Sequence, residues 1–215
     1  FSEAGIQKAP ESAIATITCA DGDDNTTDAF TEGEHIIITS TDGTKKVYVL
    51  VDGSETISPA LATGDVISAG VDIGASTIAS GVTDLGTCIA VNNNLNTHNQ
   101  ATVLNEFRAA INSANGHNAG SANSKITLSA AVATSNGPKT LTLTQTTPGA
   151  SGNVSLFTNI SQFTTSGFNF GGSHSVPILR GVLLAPSGVI LHLSGNNLAS
   201  GRDSAPVNTT EALAV

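Results

Sequence analysis

One stretch of this chain carries a helical repeat, and it sits in a sequence that otherwise reads as short strands and turns. In residues 96–116 (NTHNQATVLNEFRAAINSANG), Val103, Leu104, Phe107, Ala110, Ile111 and Ala114 recur at three- and four-residue spacing. That spacing places them on one face of an amphipathic helix spanning about 97–115. Thr97 is placed to cap its start, with Gln100 as the capping-box partner. Asn115 and Gly116 are residue types that adopt the left-handed geometry ending a helix. Asn99, Asn105, Glu106, Arg108 and Asn112 fall on the opposite face, which is expected to be wet. A single amphipathic helix needs a surface to cover, so the strands around it must supply one.

Those strands are legible as alternation. A strand over 13–19 precedes an acidic loop. EHIIITS and KKVYVLVD then form a hairpin around Thr41-Asp42-Gly43, an Asp-Gly turn signal. The second of these strands is apolar on both faces, which predicts a central position. Residues 53–86 lose the pattern and read as a long excursion with one short strand near 65–68. GTCIAVN leads into the helix. After it, SKITLSAAV and KTLTLTQT form a second hairpin, with Leu141 and Leu143 inward and Thr140, Thr142 and Thr144 outward. TPGASG turns the chain, and NVSLFTNI and FTTSGFNFGG bring it to a glycine pair that marks a boundary. The expected fold is mainly β: an antiparallel β-sandwich-like domain over 12–172 with one helix. Residues 1–11 form a lead-in, and residues 173–215 a C-terminal hairpin and extended docking arm.

Charge and composition narrow the function classes. The net charge of −9 opposes nucleic-acid and anionic-membrane partners. No apolar run is long enough to span a bilayer as a helix. In 173–215, Arg180 and Arg202 cancel Asp203 and Glu211, so the negative charge belongs to residues 1–172. The arm's apolar residues Val176, Ile178, Leu179, Val182, Leu183, Leu184, Val189 and Leu191 are too few for a separate core. They are therefore expected to dock on the first domain or on a neighbouring subunit. The chain contains no methionine and is expected to start downstream of a removed or further segment.

Chemistry-bearing motifs are sparse. Asp21, Asp23, Asn25 and Glu32 stand at positions one, three, five and twelve of an EF-hand-like spacing, which suits calcium. Against it, position six is Thr26, position eight is Asp28, and no helices flank the loop; an acidic solvated turn is the alternative. Cys19 and Cys88 lie in apparent strands, either as two buried thiols or as a disulfide. His98 and His117 bracket the helix and are expected to be exposed. The five histidines form no HxxxH or HExxH pattern, and there is no GxSxG, P-loop or dinucleotide fingerprint. The sequons at Asn25, Asn153, Asn159 and Asn208 are read as chance in an Asn/Thr-rich chain. Nothing in these patterns forms an active site, and no cofactor beyond calcium is indicated.

Residues 12–172 resemble a repeat-type domain of virion structural proteins from marine tailed bacteriophages, including those of cyanobacteria. The resemblance is carried by ATITCADGDDNTTDAFTEGEHIIITSTDGTKKVYVLVDG, IAVNNNLNTHNQATVLNEFRAAINSANGHNAG, KITLSAAV, KTLTLTQTTPGASGNVSLFTNI and FNFGG. Its most specific pieces are ANGHN at the helix end and LTLTQTTPGASGN. It implies a virion location, expected at the extracellular particle surface for a decoration protein, with no catalytic residues. The reading that follows is a capsid decoration or cement protein with capsid proteins and copies of itself as partners. Alternatives are a tail tube, fibre or baseplate component, or a surface adhesin or carbohydrate-binding module. With no Trp and Tyr48 the one tyrosine, there is little to stack on a sugar.

Overall fold

The computed structural model describes residues 10–19, 30–53, 60–74, 76–93, 100–120, 124–133 and 138–171, with the backbone alone of Asn93, 181–184 and 190–193. The chain divides into two compact units. One is Ser12–Gly172; the other joins Phe1–Glu11 to Ser173–Val215.

The larger unit is mainly β, as the alternation predicts. Its strands are β1 (Ile14–Cys19), β2 (His35–Thr39), β3 (Lys45–Asp52), β4 (Val66–Ile67), β5 (Thr87–Asn93), β6 (Ile126–Leu128), β7 (Lys139–Gln145), β8 (Phe157–Thr158) and β9 (Phe163–Thr165). A single helical turn, α1 (Ser80–Thr83), precedes β5, and α2 (Gln100–Asn112) follows it. The strands form a four-stranded sheet, β6-β7-β1-β9, and a five-stranded sheet, β4-β5-β3-β2-β8. In the smaller unit, β10 (Gly181–Leu184) and β11 (Ile190–Leu193) pair as an antiparallel hairpin.

β3 is central because both of its faces are apolar. Tyr48 and Leu50 point into one cluster with Ile36, Ile38, Ile89 and Val91, the apolar side of α2, and Ile17, Leu141 and Leu143 of the four-stranded sheet. Val47, Val49 and Val51 point the other way, to Cys88, Ala90, Leu61, Ile67, Ile73 and Ile78. Two cores therefore share one sheet. The excursion after β3 is a cover for its second face, built from single apolar residues too widely spaced to show a period.

The five-stranded sheet is mixed, where an antiparallel one was expected. β3 and β5 run parallel in register from Lys46↔Thr87 to Asp52↔Asn93. A parallel neighbour requires a long crossover, and residues 53–86 supply it. NVSLFTNI supplies β8, which joins the five-stranded sheet, with Ile37↔Phe157 beside β2.

α2 buries Val103, Leu104, Phe107, Ala110 and Ile111, the face that the sequence marks. Its end differs. The helix stops at Asn112, Ala114 is exposed, and Thr97 lies outside the described residues. Neither Asn115 nor Gly116 is left-handed. Glycine is needed at 116 for closeness, because a Cβ there would overlap the carbonyl oxygens of Ala110 and Ile111. Those carbonyls already accept the N–H groups of Ser113 and Asn118, at 3.2 and 3.0 Å. Gly116→Ala is accordingly expected to lower stability by about 1–3 kcal/mol, the range for overpacking. Urea unfolding checks this, and an unchanged midpoint would mean that the loop yields freely.

The polar face of α2 is not simply wet. Asn105 exchanges two hydrogen bonds with the backbone of Val132, donating at 3.0 Å and accepting at 2.9 Å. Glu106 accepts from the Thr63 hydroxyl at 2.7 Å, and Arg108 donates to Ser129 O at 3.1 Å. This face therefore fastens the flanking segments.

Candidate functional site

The densest polar constellation lies where the α2 end, the β2–β3 turn and the start of β6 meet. Alternation on β3 turns Tyr48 inward, and its ring is fully buried. A buried phenol needs partners for its hydroxyl, and both come from His117, which is 2% exposed. The Tyr48 hydroxyl donates to His117 Nδ1 at 2.7 Å and accepts the His117 backbone N–H at 3.1 Å. His117 Nε2 lies 3.2 Å from Thr44 O, a carbonyl, so Nε2 carries the proton. All the polar groups of the pair are satisfied by a neutral imidazole.

Charged residues rim the pair. Lys125 Nζ lies 2.7 Å from Asp42 Oδ2 and donates to Thr44 Oγ1 at 2.6 Å. Asp42 also accepts from the Ser40 hydroxyl at 2.6 Å and from the Thr44 N–H at 3.1 Å. Lys46 donates to Asn115 O. Lys125, with help from Ser40 and Thr44, holds the Asp42 carboxyl well below its usual range. Burial, then the charge of Lys125, lowers Lys46. Burial pushes Tyr48 far up, partly offset by the His117 N–H. For His117, burial dominates and brings the imidazole down to about 4, with Lys46 and Lys125 adding to the depression. The Thr44 carbonyl and Asp42 act in the opposite sense.

Chemically, Tyr48 and His117 are groups that could pass a proton, but protein encloses both and they serve each other. The arrangement is a fastening. His117, expected at the surface, is thus among the most buried polar residues. The signal that could have found it is Tyr48 itself, an inward-facing hydroxyl in an apolar strand that requires a polar partner.

The segments ANGHN and LTLTQTTPGASGN also carry side-chain fastenings to the backbone. In ANGHN, Asn118 Oδ1 accepts the N–H groups of Lys125 and Ile126 at 3.2 and 3.1 Å, and Asn118 Nδ2 donates to Ile126 O at 2.7 Å. In LTLTQTTPGASGN, buried Gln145 reaches across to the β2–β3 turn. It accepts from Thr41 N–H at 2.9 Å and donates to Thr39 O at 2.9 Å. Asn153 brackets Gly171, accepting its N–H at 2.8 Å and donating to its carbonyl at 2.5 Å. Gln145 thereby joins the two sheets, Asn118 ties the end of α2 to β6, and Asn153 fastens one loop to another. Asn153 and Asn159 are also engaged by the backbone; Asn159 accepts the His35 N–H at 2.6 Å.

The remaining candidates are dispersed. Of the EF-hand-like set, Asp21, Asp23 and Asn25 lie outside the described residues. Glu32 accepts the Asp52 N–H at 3.0 Å and packs against Gly74. Among the described residues no three His, Cys, Asp or Glu side chains converge as metal ligands. Cys19 and Cys88 are both buried, and no disulfide joins them. They belong to the two different cores, on opposite faces of the five-stranded sheet. Cys88 lines an open cavity of about 360 Å³ with Val66, Ile67, Ala69 and Thr83. Burial pushes its thiol up, and a protonated thiol is a poor nucleophile. Of the arm residues, Val182, Leu183, Leu184 and Leu191 fall in the β10–β11 hairpin. Val176, Ile178, Leu179 and Val189 lie outside the described residues.

No family model, curated protein or solved structure matches the chain.

Proposed function

We propose that this chain is a non-enzymatic structural protein of a virion, acting as a capsid decoration or cement protein. The β-rich unit faces outward, and the hairpin of the smaller unit binds the capsid surface and neighbouring copies. The observation that carries this reading is β10–β11. The hairpin holds eight residues, GVLL and ILHL, almost all apolar, in a sheet of two strands with no third neighbour among the described residues. A lone two-stranded hairpin is marginal in water, and its unpaired edges are templates for strand addition. The domain resemblance over 12–172 supports the virion setting. The polar constellation around His117, built as a joint, fits a structural role.

Cryo-electron microscopy of purified virions that encode the chain tests the proposal. The expected result is density over the head lattice, with the hairpin edge paired to a neighbouring strand. Density confined to the tail would select a tube, fibre or baseplate role instead, and absence from the particle would overturn both. Deleting residues 173–215 is expected to abolish particle binding; unchanged affinity would refute the docking role of the hairpin.

A further inference from the structure

The loop that ends α2 is held to the β2–β3 hairpin mainly through one titratable side chain. His117 is clamped at both ring nitrogens, by the Tyr48 hydroxyl and by Thr44 O, and its own N–H closes back on Tyr48. The loop's other tie to this hairpin is Lys46 donating to Asn115 O. We propose that this latch is an acid-release device, in which protonation of His117 frees residues 113–118 from the hairpin while the sandwich stays folded.

Hydrogen bonding gives the direction. Tyr48 is donor to Nδ1, so an imidazolium would set two donors face to face inside an enclosed site. Either the hydroxyl turns its hydrogen away, so that its oxygen accepts Nδ1–H and the buried hydrogen loses the acceptor it had, or the ring leaves; each costs the pair a buried hydrogen bond. Charge gives the same direction. The groups facing His117 are Tyr48 and Lys46 from β3, Asp42 from the turn and Lys125 from the residues before β6. The last turn of α2 adds no basic residue. Two cations thus stand against one carboxylate, and that carboxylate is already shared by Lys125, Ser40 and Thr44. A third positive charge has no counter-ion to itself.

Confinement follows from the strands of the other sheet. β1 (IATITC) and β7 (KTLTLTQ) carry no carboxylate or histidine, so acidification changes no charge within them. The depression of His117 from 6.5 to about 4 fixes the window. A base with a lowered folded value binds fewer protons folded than unfolded. Its stabilisation is complete above pH 6.5, declines as pH falls towards 4, and is gone below that.

The test is an NMR titration of the full chain, following the His117 ring and backbone amide exchange. The ring is expected to titrate near pH 4. The His117 backbone amide, which donates to Tyr48, is expected to lose protection over the same range, while the amides of β1 and β7 keep theirs. His117→Gln offers an N–H to Thr44 and an oxygen to Tyr48 with nothing to titrate, so the acid step should vanish. A wild-type midpoint near 6.5 would overturn the proposal, as would simultaneous release of loop and sheet amides. Persistence of the step in H117Q would overturn it too. The wild-type titration decides even if that variant fails to fold.

Discussion

Phe107→Ala is expected to remove about 3–5 kcal/mol of folding free energy, the range for deleting a buried phenylalanine side chain. Phe107 is fully buried on the α2 face that closes the sandwich. Its ring meets Phe163 of β9 edge-on, with centroids 5.6 Å apart, and Phe163 meets Phe30 in the same way at 5.8 Å. Three rings thus tie the helix, the edge of the four-stranded sheet and the residue leading towards β2. The space left by truncation is lined by elements already fixed by sheet pairing, so it cannot collapse. In domains of this size each 1 kcal/mol moves Tm by about 2–4 °C, so a fall of roughly 6–20 °C is expected. The control is Phe170→Ala, where the ring is 76% exposed and the change should stay within about 0.5 kcal/mol. Calorimetry on both variants checks the pair. Equal effects would show that the helix is not what seals the sandwich.

What the sequence made legible was whatever repeats with a period. The inward residues of β7 follow from KTLTLTQT, the buried face of α2 from its three- and four-residue spacing, and the central place of β3 from having no polar face. Strand direction has no period. Nothing in GTCIAVN distinguishes a strand parallel to β3 from an antiparallel one; the length of the preceding excursion was the available clue. Two-residue strands such as β8 are too short to carry a pattern, and which sheet β8 joins is settled by Ile37 and the Asn159–His35 contact. The joints escaped for another reason. Asn105, Glu106 and Arg108 look like a solvated face because charge and amide content say nothing about which carbonyls lie within reach. His117 falls just past a helix, a position that reads as surface, and became interior because Gly116 lets the chain pass close over the helix end. Periodicity reports burial of apolar faces, whereas a polar joint depends on two segments meeting, here β3 and the loop after α2.

Tyr48→Phe isolates that joint. The substitution keeps the ring that packs against Leu50 and Ile89 in the core and deletes one oxygen. Two groups then lose their partner: His117 Nδ1, which accepted the hydroxyl, and the His117 N–H, which donated to it. Each buried polar group left unsatisfied costs about 1–3 kcal/mol, so a loss of about 2–6 kcal/mol is expected for the two. Denaturant unfolding at pH 7 measures it. The double variant Tyr48→Phe, His117→Leu sharpens the test, because removing both partners of a buried hydrogen bond is far less harmful than removing one. The double variant should therefore be destabilised by less than the sum of the single changes, the deficit being the coupling between the two side chains. Additive losses would mean that the two side chains are independent and that the joint is held by Lys46 and Lys125 at its rim. A deficit of about 1 kcal/mol or more would identify the buried pair as what fastens the helix end to the central strand.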